Sequence, residues 1–209
     1  MASSLMHIYV GRKFVQRSKK QLNLPDFYLG CIAPDSVSVN GYASKDTRWA
    51  AHMRSRDFNK WCNSNADFYH QQTGQVNESL LLGYVMHNIT DAAFDKYFIG
   101  EIDRELTRAN IPAATNHGLT WDEFYRFDYS QRKQPWWANE ILPALKKAIP
   151  AEINGVDKQL VDKFLTNIIE LLDKGKYTVQ DGHPIIVSLE MLDKLADIVC
   201  DIMDGIVGD

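Results

Sequence analysis

Residues 81–98, LLGYVMHNITDAAFDKYF, read as an apolar helix into which His87, Asp91 and Asp95 are set at intervals of four. An α-helix turns about 3.6 residues per revolution, so side chains four apart are neighbours, with Cβ atoms about 5–6 Å apart. Tyr84, His87, Asp91 and Asp95 therefore form one column, while Leu81, Leu82, Val85, Ile89, Ala93 and Phe94 occupy the other faces. Ionisable groups are costly to bury unless something pairs with them. Either this column is the wet side of the helix, or a partner inside neutralises it. An imidazole and a carboxylate one turn apart can both reach one divalent ion at about 2.0–2.2 Å, the distance zinc demands, but the remaining donors must then come from other segments.

The surrounding pattern is helical. Residues 5–20 read as a short amphipathic helix with a basic end, and 22–37, with two Pro-Asp steps and a glycine, as loop around a short buried run. One or two helices fit Asp46 to Gln72, and Asn77 or Ser79 is placed to cap the helix of the opening motif, which runs to about Phe98. Thr120 is the expected cap of WDEFYRFDY, with Glu123 in the capping-box position, and WWANEILPALKKAI reads as a helix interrupted at Pro143. Two amphipathic helices follow, stopped at Gly175 and Gly205. No period-two pattern is sustained, and KYTV and PIIV are the only strand candidates. The expected fold is an all-α, single-domain helical bundle over 1–209, in which residues 1–100 carry the candidate metal site and 101–209 complete the core. The last two helices serve that completion or form the seam of a homodimer; the sequence allows both.

Composition narrows the function. A net charge of −4 leaves no basic footprint for duplex nucleic acid. No apolar run approaches the roughly 20 residues of a membrane-spanning helix, so no transmembrane segment is expected. No basic stretch precedes an apolar core at the start of the chain, and three cysteines without knuckle spacing read as free thiols, so the expected location is cytoplasmic.

Three polar residues ahead of the central helix also sit in apolar surroundings: His7 in LMHIYV, Asp35 at the end of YLGCIAPD, and His52 in RWAAHM. A shared cation would offset the cost of burying them. In this order the fragments SLMHIYVGRK, YLGCIAPD, WAAHM and GYVMHNITD resemble the zinc-dependent phospholipase C family, related more distantly to fungal single-strand nucleases. The resemblance covers residues 5 to about 98.

It implies that Asp35, His52, His87 and Asp91 hold one zinc ion, and that Asp91 bridges to a second ion also bound by His7. In the secreted members that second ion is completed by the processed N-terminal residue; here six residues precede His7. The third ion of those enzymes takes a histidine where this chain has Tyr97, then a His and a Glu four apart, whereas His117 and Glu123 are six apart. A complete three-metal site is not expected, and Asp95 and His117 are the candidate substitute donors. The implied cofactor is therefore one or two Zn²⁺ ions or another divalent metal. The implied activity is hydrolysis of phosphoric esters, phosphodiesters foremost, by an activated water that Asp35 would orient. A small phosphoester or a phospholipid is the implied substrate, and Arg48 and Arg54 are candidates to hold its phosphate. The alternative is a catalytically inert helical scaffold or binding protein derived from that fold. A His-Asp-type phosphohydrolase is disfavoured, because no adjacent His-Asp dipeptide occurs.

Overall fold

The central helix is buried on every side. In the computed structural model, which describes residues 2–175 and 183–208, α5 spans Glu78–Tyr97 and every residue from Ser79 to Phe94 is inaccessible or nearly so. Around it lie α1 (Ser4–Arg17), α2 (Leu24–Gly30), α4 (Phe58–Gln72), α6 (Ile99–Ala109) and α10 (Leu189–Val207), all in contact with it. A helix that is apolar all round needs such a jacket. The other elements are α3 (Lys45–Ala51), α7 (Leu119–Gln131), the four-residue α8 (Leu142–Leu145) and α9 (Lys158–Lys174). A 3₁₀ turn, Ala33–Ser38, follows α2, and one π turn, Trp137–Ile141, runs into α8.

The architecture is all-α, and no strand occurs among the described residues; Ile153 and Val156 form one isolated bridge. A contiguous apolar cluster reaches from Ala2 to Ile206. No described helix is long and apolar enough to cross a membrane.

Most helix starts follow from their caps. Ser3 accepts from the Met6 amide, Asp57 from Lys60, Asn77 from Leu80, Asp157 from Gln159 and Ser188 from Met191. Five expectations need correction. The segment 22–37 is not loop but α2 and the 3₁₀ turn, because Pro25 and Pro34 occupy first-turn positions, where a missing N–H costs nothing. Pro143 likewise sits in the first turn of α8 and interrupts nothing; the π turn before it makes the irregularity. Helix α7 starts from Gly118, not Thr120, whose hydroxyl donates to Asp103. Glu123 is turned inward, accepting from the Ile186 and Val187 amides at 2.6 and 2.8 Å. Finally, α10 runs through Gly205 and ends at Gly208. PIIV (184–187) is irregular, and KYTV lies outside the described residues.

The contact that positions the site is the crossing of α2 and α5. It is close enough that a Cβ on Gly30 would fall 2.3 Å from the Leu80 carbonyl oxygen, and one on Gly83 2.0 Å from that of Phe27. Only glycine fits where backbones approach so nearly. Gly205, inside α10, has nothing within 4 Å of its would-be Cβ.

The two glycines should therefore respond oppositely to alanine. Gly83→Ala is expected to cost about 3 kcal/mol by overpacking, a fall of about 6–12 °C in Tm at this size. Gly205→Ala should add about 0.5–1 kcal/mol by relieving helix entropy. Thermal melts of the two variants check both signs.

Candidate metal centre

Five side chains from four elements converge beside this crossing. His7 comes from the middle of α1, Asp35 from the 3₁₀ turn, His52 from the C-cap of α3, and His87 and Asp91 from successive turns of α5. Two overlapping groups of donor atoms result: His7, His87 and Asp91, and Asp35, His52 and His87. The His52 Nε2 stands 3.2 Å from His87 Nε2, 3.3 Å from Asp35 Oδ1 and 3.7 Å from Asp91 Oδ2. The His87 Nε2 lies 3.9 Å from the same Asp35 oxygen and 3.8 Å from the same Asp91 oxygen. Four donors at 2.0–2.2 Å from a tetrahedral centre are separated by about 3.3–3.6 Å, simply from the geometry of the tetrahedron. The separations of the two Nε2 atoms from each other and from the Asp35 and Asp91 oxygens, 3.2–3.9 Å, lie within a few tenths of an ångström of that spacing.

The other oxygen of Asp91 faces away from this set. Its Oδ1 accepts from the Ala2 amide at 2.9 Å and lies 3.3 Å from His7 Nε2. The carboxylate thus has one oxygen toward His52 and His87 and one toward His7. The His7 ring stacks on that of His87 with centroids 3.7 Å apart, and neither of its nitrogens makes a hydrogen bond. Asp91 Oδ2 is also buried without a hydrogen-bond partner. Orphaned buried polar atoms are expensive, and three of them on two residues of one cluster point to something positive among the donors.

Backbone carbonyls fix the ring orientations. His87 Nδ1 donates to the Cys31 carbonyl at 2.8 Å and His52 Nδ1 to that of Arg48 at 2.8 Å. A carbonyl can only accept, so both Nδ1 atoms carry the proton and both Nε2 lone pairs point into the cluster. Such outer partners are what metal-ligating histidines use. His52 is held further by its own carbonyl, which accepts from Trp61 Nε1 at 2.8 Å, and by Tyr84, whose hydroxyl donates to the neighbouring Ala51 carbonyl at 2.5 Å.

Electrostatics follow from burial. His7, His52, His87 and Asp91 are at most 1% exposed, whereas the Asp35 side chain keeps 18%. Burial, and then the adjacent His7, push the His87 imidazole down to about 3. Burial opposes charge on Asp35, but His87 and His52 outweigh it and hold the carboxyl below its ordinary value. Asp91 is held well below, burial again being overcome by the charges around it. His52 moves up, because Asp35 and Asp91 overcome its desolvation.

Asp35 opens onto a cavity of about 250 Å³ whose wall includes Tyr42, His117, Trp121, Tyr125, Asp128 and Phe164. His117 lies on that wall, edge-on to Tyr125, outside the two donor groups. Asp95 is likewise outside them. It pairs with Arg54 in a separate groove between Trp49, Phe58 and Trp61. Arg48 donates to the Ala43 carbonyl and lies over Tyr42, and neither arginine lines the cavity that Asp35 reaches. One residue not anticipated from the sequence is Asp128, buried on α7 and accepting from the Ser3 hydroxyl at 2.6 Å. Burial pushes its carboxyl up to about 7, tempered by Ser3 and the Leu5 amide. A lone aspartate in RFDYS carries no local signal of that role.

The pH response of chelator-treated protein follows from these shifts. With His87 at about 3 when folded and about 6.5 when unfolded, the unfolded chain takes the proton first, so this residue removes stability as pH falls below about 6.5, by up to about 1.4 kcal/mol per unit. His52, shifted up, acts oppositely, its stabilisation present below about 6.5 and lost as pH rises through its folded value. The carboxylates Asp35 and Asp91 add acid sensitivity near and below about pH 4. Urea midpoints between pH 7 and 4 should fall for the wild type and fall less steeply for His87→Gln.

Comparison of the chain with protein-family models, with curated proteins and with solved structures gives no match.

Proposed function

We propose that Asp35, His52, His87 and Asp91 hold one zinc ion, that Asp91 and His7 share a second, and that the protein is a metal-dependent hydrolase of phosphoric esters. The observation that carries this reading is the convergence of two imidazole lone pairs and two carboxylates, each carboxylate presenting an oxygen 3.3–3.9 Å from both Nε2 atoms, with both imidazoles locked by carbonyls. Without a cation or proton among them, two Nε2 lone pairs 3.2 Å apart repel. A donor set of two nitrogens and two carboxylate oxygens suits zinc, with manganese as the nearest alternative.

A divalent cation held there would lower the pKa of a bound water towards about 7 and offset charge developing on a phosphoryl oxygen. The residues divide the remaining work. His52 and His87 are sealed and serve as neutral donors. Asp35 alone of the five reaches the cavity, so it is the group placed to orient an attacking water and accept its proton. The apolar wall of Trp121, Tyr125 and Phe164 suits the organic part of the ester, whether a small phosphoester or a phospholipid. Among the described residues no Lys or Arg lines that cavity, so the phosphate would be met by the cation and not by Arg48 or Arg54.

A second reading, an inert scaffold that binds metal without turnover, draws on the positions of His117 and Glu123, which do not assemble a third donor group. Metal analysis of protein purified without chelator separates these. We expect zinc in stoichiometric amount, lost in His87→Ala and Asp91→Ala. At free zinc 100-fold above Kd, binding should add about 2.7 kcal/mol, raising Tm by about 5–11 °C over chelator-treated protein. In a screen of phosphomonoesters and phosphodiesters with zinc or manganese, Asp35→Asn should lower kcat by about 10²–10⁴. Zinc without turnover on any ester would favour the scaffold, and absence of zinc would sink both.

A further inference from the structure

The approach of Ala2 and His7 to Asp91 depends on how the first turn of α1 is fastened. Ser3 caps that helix conventionally: its hydroxyl oxygen accepts from the Met6 amide, and its carbonyl accepts from the His7 amide at 3.1 Å. This uses only the acceptor side of the hydroxyl. Its proton goes to Asp128 Oδ1 at 2.6 Å, across a separation of 125 residues. Capping does not require this partner, because a serine caps with its oxygen alone. A carboxyl only 5% exposed is costly to keep without a compensating partner. The contact does have one evident geometric effect. It pins Ser3, one residue after the amide that reaches Asp91 Oδ1 and four before the imidazole that faces the same oxygen.

We infer that Asp128 is a positioning residue: through the Ser3 hydroxyl it latches the first turn of α1 onto the outer oxygen of Asp91, and so completes the His7 half of the centre. The inference rests on the reading that His7 and Asp91 share a second ion. Asp128 touches none of the donors; it acts through Ser3. The latch leaves the Asp35–His52–His87 group untouched, because that group is held by the carbonyls of Cys31 and Arg48 and by Tyr84. The two halves of the centre should therefore come apart when the latch is cut.

The test is zinc titration of full-length protein against a competing chelator, resolving the two binding steps. Ser3→Gly removes the hydroxyl but keeps a residue tolerated as an N-cap. It is expected to weaken the second step by about 10–100-fold, the usual loss when an outer partner of a ligand is removed, and to leave the first unchanged. Ser3→Thr, which retains the hydroxyl, should restore it. Asp128→Ala should match Ser3→Gly, and the double variant should be no worse than either, as expected for two groups acting as one unit. Hydrogen exchange at the amides of residues 2–7 should quicken in the same variants with Tm nearly unchanged in Ser3→Gly. Equal weakening of both steps, or full second-step affinity in Ser3→Gly, would overturn the latch. A single zinc step in the wild type, unaffected by His7→Ala, would instead overturn the shared-ion reading beneath it.

Discussion

The near-contact of two backbones, α2 against α5 at Gly30 and Gly83, is the constraint on which the remainder depends. It brings the C-terminal end of α2 onto the middle of α5, so that the Cys31 carbonyl meets the His87 ring one turn beyond Gly83. The same crossing starts the 3₁₀ turn close to α5, and Asp35 is delivered from that turn. Had either glycine carried a side chain, the helices would stand further apart and the 2.8 Å anchor of His87 could not form at the present spacing. Packing here is upstream of chemistry, because the ligand geometry is an outcome of how closely two helices can lie.

The centre itself is an electrostatic problem that the fold leaves to a guest. Four of its five side chains are almost fully sealed, and they include two imidazoles with inward lone pairs and a carboxylate with an orphaned oxygen. Protons can relieve part of this, and the upward displacement of His52 shows where one would reside. They relieve it unevenly, since His87 resists charge strongly. A divalent ion would meet the lone pairs and the negative charge together, and the two His/Asp groups are spaced so that they could hold one.

Much of this was legible in the chain. The four-residue step from His87 to Asp91 put both on one side of a helix, and the apolar contexts of His7, Asp35 and His52 marked them as buried polar groups needing partners. The same stepping rule misplaced Asp95. Each four-residue step overshoots a full turn by about 40°, so eight residues carry a side chain about 80° around the axis. Asp95 accordingly faces Arg54 and the outer groove. The anchors could not be read at all, because the carbonyls of Cys31 and Arg48 are backbone atoms that any residue would supply. The role of Asp128 depends on a contact 125 residues distant. Glu123 was assigned to a helix cap from local spacing, and the long-range amides of Ile186 and Val187 claimed it instead.

The partial exposure of Asp35 separates two properties that are often treated as one. Affinity for an ion held there would be set by residues shut away from water, His52, His87 and Asp91, whereas the open side of the site is Asp35 on the turn Ala33–Ser38. For any ion lodged there, residence time is governed by how readily that short turn yields, and selectivity by walls that never meet solvent. A change in the turn would alter the tempo of exchange while leaving the preference among ions where the sealed residues set it.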